Sequence, residues 1–101
     1  MTGALLRRIF LVDDDPDVTR SLKKALTKAG YEVVQASDGA EAVRLWRELN
    51  GGDLAILDMF MPEKHGLETI IELRAHSPQV PIIAISGGGV TGVARTLGND
   101  E

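Results

Sequence analysis

The strongest constraint in this chain is an alternation. Short runs with almost no polar residues are separated by longer amphipathic stretches. Ile9-Phe10-Leu11-Val12, Leu54-Ala55-Ile56-Leu57 and Pro81-Ile82-Ile83-Ala84-Ile85 are continuous apolar runs, and Tyr31-Glu32-Val33-Val34-Gln35-Ala36 is a fourth strand-like segment. A run with no solvent-facing residue predicts a strand buried on both faces. Strands joined by helices rather than hairpins pair in parallel, with helices covering both faces of the sheet. Right-handed crossovers then leave few topologies.

The connecting segments carry helix signals. Asp15 can cap a first helix and Pro16 suits its first position, while Val18, Leu22, Ala25, Leu26 and Ala29 fall on one face and Gly30 ends it. Asp38 and Glu41 have capping-box spacing ahead of a second helix, whose predicted buried face is Ala42, Leu45, Trp46 and Leu49, and Asn50-Gly51-Gly52 closes it. Leu67, Ile70, Ile71 and Arg74 ride a third helix that Ser77-Pro78 breaks. Ser86-Gly87-Gly88-Gly89 terminates the fourth strand, and Val90 to Leu97 is predicted as a short helix, with no element after Gly98.

Composition narrows the function. A chain of 101 residues with 44% hydrophobic and 26% charged residues fits a single globular core. The absence of cysteine excludes a disulfide framework, a thiol nucleophile and thiolate metal sites. Two histidines, His65 and His76, supply a zinc site poorly, and both read as surface positions. A net charge of −4 argues against nucleic acid as a direct partner. The apolar runs are too short to span a membrane, and Met1 to Phe10 lack the apolar stretch of a secretion signal, so a cytoplasmic location is expected.

The chemistry gathers just past the strands. The first strand ends in Asp13-Asp14-Asp15, the third in Asp58 and the fourth in Ser86. In a parallel sheet these ends share one edge, where ligands of such folds bind. With the first and third strands adjacent, Asp13, Asp14 and Asp58 converge. Carboxylates that close must protonate, spread apart or hold a cation. Oxygen-only donors suit magnesium, and a carboxylate beside such a cation can accept a phosphoryl group. Ser86 would face the cleft from the fourth strand. Taken singly, each residue has a plainer reading: Asp15 and Asp17 as helix-start acids, Asp13 and Asp14 as turn residues, Asp58 as a strand-end acid, Ser86 as part of a turn. Trp46 reads as core. The conjunction at one edge favours the site.

These segments resemble the response-regulator receiver domain, with its chemotaxis-regulator-like fold. The likeness rests on Ile9 to Pro16, on Leu54-Ala55-Ile56-Leu57-Asp58-Met59-Phe60-Met61-Pro62 with Gly66-Leu67, and on Pro81 to Ser86. It implies an α/β, flavodoxin-like doubly wound parallel sheet of strand order 2-1-3-4, with the fifth strand and last helix missing. Residues 1–101 would be one receiver domain, incomplete at its carboxyl end. Asp58 matches the phosphoryl acceptor. Asp13 and Asp14 match the magnesium-holding pair, Asp14 more directly and Asp13 through water. The Phe60 backbone carbonyl matches a further ligand of the metal, and Ser86 matches the switch hydroxyl. The donor would be a phosphohistidine on a sensor histidine kinase or histidine phosphotransfer protein. Such a chain is a phosphoacceptor that can catalyse its own phosphorylation and dephosphorylation, not a turnover enzyme.

One departure matters. The family's fifth strand ends in Lys-Pro, yet here the last lysine is Lys64, and Arg95 is the one base after Ser86. Phosphorylation is expected to persist, while its coupling to a conformational change is open. A fourth strand left as an edge would expose Ile82, Ile83 and Ile85, and a missing last helix would uncover Val18, Leu22 and Ala25. A homodimer through either surface is the expected consequence. Two competing readings are a phosphorylation-impaired domain acting through dimerisation and protein contact, and a flavin- or nucleotide-binding domain using Gly87-Gly88-Gly89. The acid cluster weighs against the latter.

Overall fold

Eight elements follow one another: β1 (Arg8–Val12), α1 (Pro16–Lys28), β2 (Glu32–Ala36), α2 (Gly39–Glu48), β3 (Leu54–Asp58), α3 (Gly66–His76), β4 (Ile82–Ser86) and β5 (Gly89–Ala94). The computed structural model describes residues 7–58, 66–86 and 89–94, with side chains over 7–58 and 66–85. One sheet has the order β2-β1-β3-β4-β5. Its first four strands are parallel, as the apolar runs and crossover helices predict.

Strand alternation divides the core into two layers. Phe10, Val12, Ala55, Leu57 and Ile82 face α2 and α3, meeting Ala42, Val43, Trp46, Ile70 and Leu73. Ile9, Leu11 and Ile56 lie on the other face with Leu22 and Leu26 of α1. β1 and β3 therefore have no polar side, which is why their sequences are unbroken apolar runs. The Phe10 and Trp46 rings meet at 4.5 Å with a 56° tilt. Trp46 donates its Nε1–H to Ser77 Oγ at 2.9 Å, so the core indole keeps a polar partner.

The end of the sheet away from the strand tips is tied by Arg8. Its Nη1 donates to the carbonyls of Leu49 at 2.7 Å and Gly51 at 3.0 Å, and its Nε to Glu32 at 3.1 Å. The turn after α2 enters the left-handed region at Asn50 (φ 61°) and Gly51 (φ 87°).

Three expectations are corrected here. The segment predicted as a short helix, Val90 to Leu97, instead contributes to β5, antiparallel to β4 with Ser86 opposite Gly89 and Ile83 opposite Val93. Gly92 and the β-branched Val90, Thr91 and Val93 disfavour helix, and immediate antiparallel return needs no crossover. In consequence β4 is not the bare edge expected for pairing with a second copy; β5 covers it. Leu49 is 38% exposed because α2 ends at Glu48 and Leu49 is its cap, off the helical face; Val43 is buried instead. Along α3, Leu67 and Ile71 are 54% and 58% exposed, whereas Thr69 is fully buried. Among the described residues no helix is long and apolar enough to cross a membrane.

Gly52 lies where β1 and β3 close against the Phe10 ring. A Cβ there would sit 2.9 Å from Phe10 Cδ1 and 3.3 Å from the Arg8 carbonyl oxygen. Phe10 is wholly buried and cannot yield without disturbing Trp46. Gly52→Ala should therefore destabilise the fold by about 1–3 kcal/mol, read as a lower urea midpoint at unchanged slope.

Candidate functional site

The parallel register places Val12 of β1 beside Leu57 of β3. The next residue on each strand is an aspartate, so Asp13 and Asp58 arrive at the same edge by register alone. The Asp13 amide still donates to the Ala36 carbonyl at 3.1 Å, which holds it as an extension of the sheet. Its carboxylate Oδ1 accepts the Asp15 N–H at 2.9 Å, turning the chain sharply. Asp15 then caps α1, accepting from the Asp17 N–H at 2.9 Å and the Val18 N–H at 3.4 Å, with Pro16 at the start of the helix. Consecutive acids thus divide the work: Asp13 shapes the turn, Asp14 projects into solvent, and Asp15 starts the helix.

One carboxylate oxygen from each of Asp13, Asp14 and Asp58 lies within 4.8 Å of the others. Asp13 is 7% exposed, Asp14 is exposed and Asp58 is half-buried. Burial, added to by the Asp58, Asp14 and Asp15 carboxylates, holds Asp13 above the ordinary carboxylate value against the lowering effect of the Asp15 N–H. Unit charges at such separations repel by about 3 kcal/mol at an effective dielectric near 20, less where Asp14 faces water. An ionised Asp13 therefore weighs against the folded state, and a cation between the three acids relieves it. The donor set, all oxygen and open on one side, fits magnesium.

Beside the acids opens a cavity of about 440 Å³ whose lining includes Asp13, Asp14, Gln35, Ser37 and Glu41. Sequence reasoning placed Glu41 in a capping box and missed it as a wall of this cavity. Asp38 Oδ1 does accept the Glu41 N–H at 2.8 Å, but Glu41 Oε1 reaches the N–H of Ser37, at 2.8 Å, rather than that of the cap residue. Its Oε1 is thereby committed to Ser37, whose Oγ also donates to it at 3.1 Å.

Of the other predicted site residues, Ser86 ends β4, one residue beyond Ile85, which pairs with Asp58. Its side chain and the Phe60 carbonyl lie outside the described residues, as does His65. Of the glycine run, Gly89 is taken into the β5 ladder rather than left in a loop, which weakens the nucleotide-binding reading. His76 sits exposed at the end of α3 against Ser77 Oγ, 2.8 Å away, on an element end apart from the acids.

The sequence pattern of the response regulator receiver domain matches residues 9–97. The transcriptional regulatory protein PrrA of Mycobacterium bovis is 42% identical over 85 residues, 84% of this chain and 36% of PrrA. The response regulator TrrA of Thermotoga maritima, solved in complex with Mg(2+)-BeF, superposes with a TM-score of 0.73 at 38% identity, covering 80% of this chain and 70% of that one. TrrA has also been solved in complex with the histidine kinase ThkA, again with a TM-score of 0.73 at 38% identity, over 81% and 70% of the two chains. This chain thus spans about a third of the curated relative it matches.

The crowding of carboxylates makes a stability prediction. Magnesium should raise the thermal midpoint of the protein at neutral pH. Asp13→Asn should raise the metal-free midpoint by a few degrees, since it removes the buried charge, and should shrink the magnesium increment. Differential scanning calorimetry with magnesium or with chelator checks both.

Proposed function

The chain belongs to the response regulator receiver domain family, and on that premise we propose that Asp58 accepts a phosphoryl group from a phosphohistidine of a sensor histidine kinase or histidine phosphotransfer protein. The observation that carries this reading is the meeting of Asp13, Asp14 and Asp58 within 4.8 Å at one sheet edge. Asp58 is anchored in β3 by its backbone, yet its carboxylate is half-exposed, so an incoming protein can reach it while its direction stays fixed.

In the transfer, an Asp58 carboxylate oxygen forms a bond to phosphorus as the phosphorus–nitrogen bond breaks. The bonding pair returns to the imidazole, and the product is an acyl phosphate. Asp13 and Asp14 would hold magnesium together with Asp58, and Phe60 is proposed to add its carbonyl. When bound, the ion supplies the positive charge that offsets the acids and the phosphoryl oxygens. Ser86, on the neighbouring strand, is proposed to hydrogen-bond a phosphoryl oxygen. The modified domain then shifts between two surface states that a protein partner reads. TrrA, with its magnesium and kinase complexes, supports the assignment by analogy. A cytoplasmic site of action is part of the same proposal.

Self-association is the second reading. It is favoured by α1, where Ala25 is exposed and Val18 and Leu22 are only half-buried, and by the half-buried Ile83 and Ile85 on the same face. Multi-angle light scattering across a concentration series should then show a dimer; a monomer at every concentration removes it.

Incubation with a small phosphodonor should add a single phosphoryl group by intact mass, in wild type only when magnesium is present and never in Asp58→Asn. An adduct that survives in Asp58→Asn would refute the acceptor assignment.

A further inference from the structure

Apart from the acid cluster, α1 carries a second feature. Arg20, Lys24 and Lys28 repeat at four-residue spacing along the helix, with Lys23 beside them, and all four are exposed. Like charges at that spacing repel on a helix. They are four of the eleven Lys and Arg residues in a chain whose net charge is −4. Arg20 has an acid partner, Asp17 at 3.0 Å. Lys23, Lys24 and Lys28 have no ion-pair partner among the described residues.

The cationic row borders a groove of about 760 Å³, closed on its other side by Gln35 of the edge strand β2. No acid lines it. Pro16, Thr19 and Gln35 line both this groove and the acidic cavity beside Asp13, so the two spaces adjoin.

We propose that the α1–β2 groove is a docking surface for an acidic polypeptide segment of a protein partner. Charge complementarity selects the occupant: carboxylates laid along the row would meet three unpaired ammonium groups. Two other polyanions fit less well. A bilayer is planar, whereas these cations border a recess, and both bilayer and nucleic acid present dense negative charge to a chain of net charge −4. A polypeptide can place its acids against the lysines and leave neutral residues beside Asp14 and Glu41. The segment would lie next to the phosphoacceptor edge without using the aspartates, so this inference stands whether or not Asp58 is modified.

The test uses the whole chain and a fluorescein-labelled oligoglutamate peptide, read by fluorescence anisotropy at low and high salt. Lys24→Glu with Lys28→Glu reverses two groove charges. Arg44→Glu with Arg47→Glu makes the same net change on α2, away from the groove. The expected result is binding that salt weakens, that falls about tenfold or more in the α1 variant and that the α2 variant largely keeps. Backbone amide shifts should concentrate in residues 17–28 and at Gln35. Circular dichroism and thermal unfolding show that each variant is folded. No binding at low salt, equal loss in both variants, or shifts spread over the surface would overturn the proposal. So would phosphatidylserine vesicles or duplex DNA binding the same residues as tightly as the peptide.

Discussion

Parallel pairing of β1 with both β2 and β3 decides where everything else in this molecule lies. With β1 at the centre, Val12 stands beside Ala36 on one side and Leu57 on the other. The residues that follow must then emerge at one edge of the sheet. Three carboxylates meet there because the backbone ladder puts them there, not because they attract. The core bears the burden: Phe10, Leu11, Val12 and Leu57 are all but inaccessible. Sheet pairing and burial hold together an arrangement that electrostatics alone would push apart.

The remaining charges are arranged around that conflict. Asp15 caps α1 and Glu41 bonds Ser37, so each has an oxygen engaged outside the three-acid cluster, although the Asp15 charge still adds to the push on Asp13. Asp13 has one oxygen committed to the Asp15 N–H. Four cations gather along α1, beyond the rim formed by Pro16, Thr19 and Gln35. The result is two adjoining surfaces of opposite sign. The two layers of the core differ as well. α2 and α3 bury one face of the sheet, while α1 lies over β2 and β1 on the other. Ile83 and Ile85 on that second face are half-buried.

Much of this was legible from residues alone because the signals were local. An apolar run such as Ile9–Val12 has one stable use, a strand covered on both sides. Asp15-Pro16 is a helix start in almost any context. Gly30, at φ 102°, stops α1 as expected. Where reading failed, the deciding term was long-range. Val90, Thr91 and Val93 favour a strand, and the β4 edge supplied the partner that a local helical reading left out. Leu49 kept helical spacing yet lay past the last turn. Glu41 revealed a capping role but not the cavity it borders.

The sequence by itself determined the element order from β1 to β4, the parallel pairing of those strands and the acids that end β1 and β3. Those follow from periodicity, capping and composition, which act over a few residues. Only the tertiary structure decided that the three acids lie within 4.8 Å and that Asp13 is buried among them. It alone decided that β5 covers the edge of β4, and that the α1 cations border a groove against Gln35. Distances between residues far apart in the chain are set by strand register and by how helices settle on the sheet. No local pattern contains them.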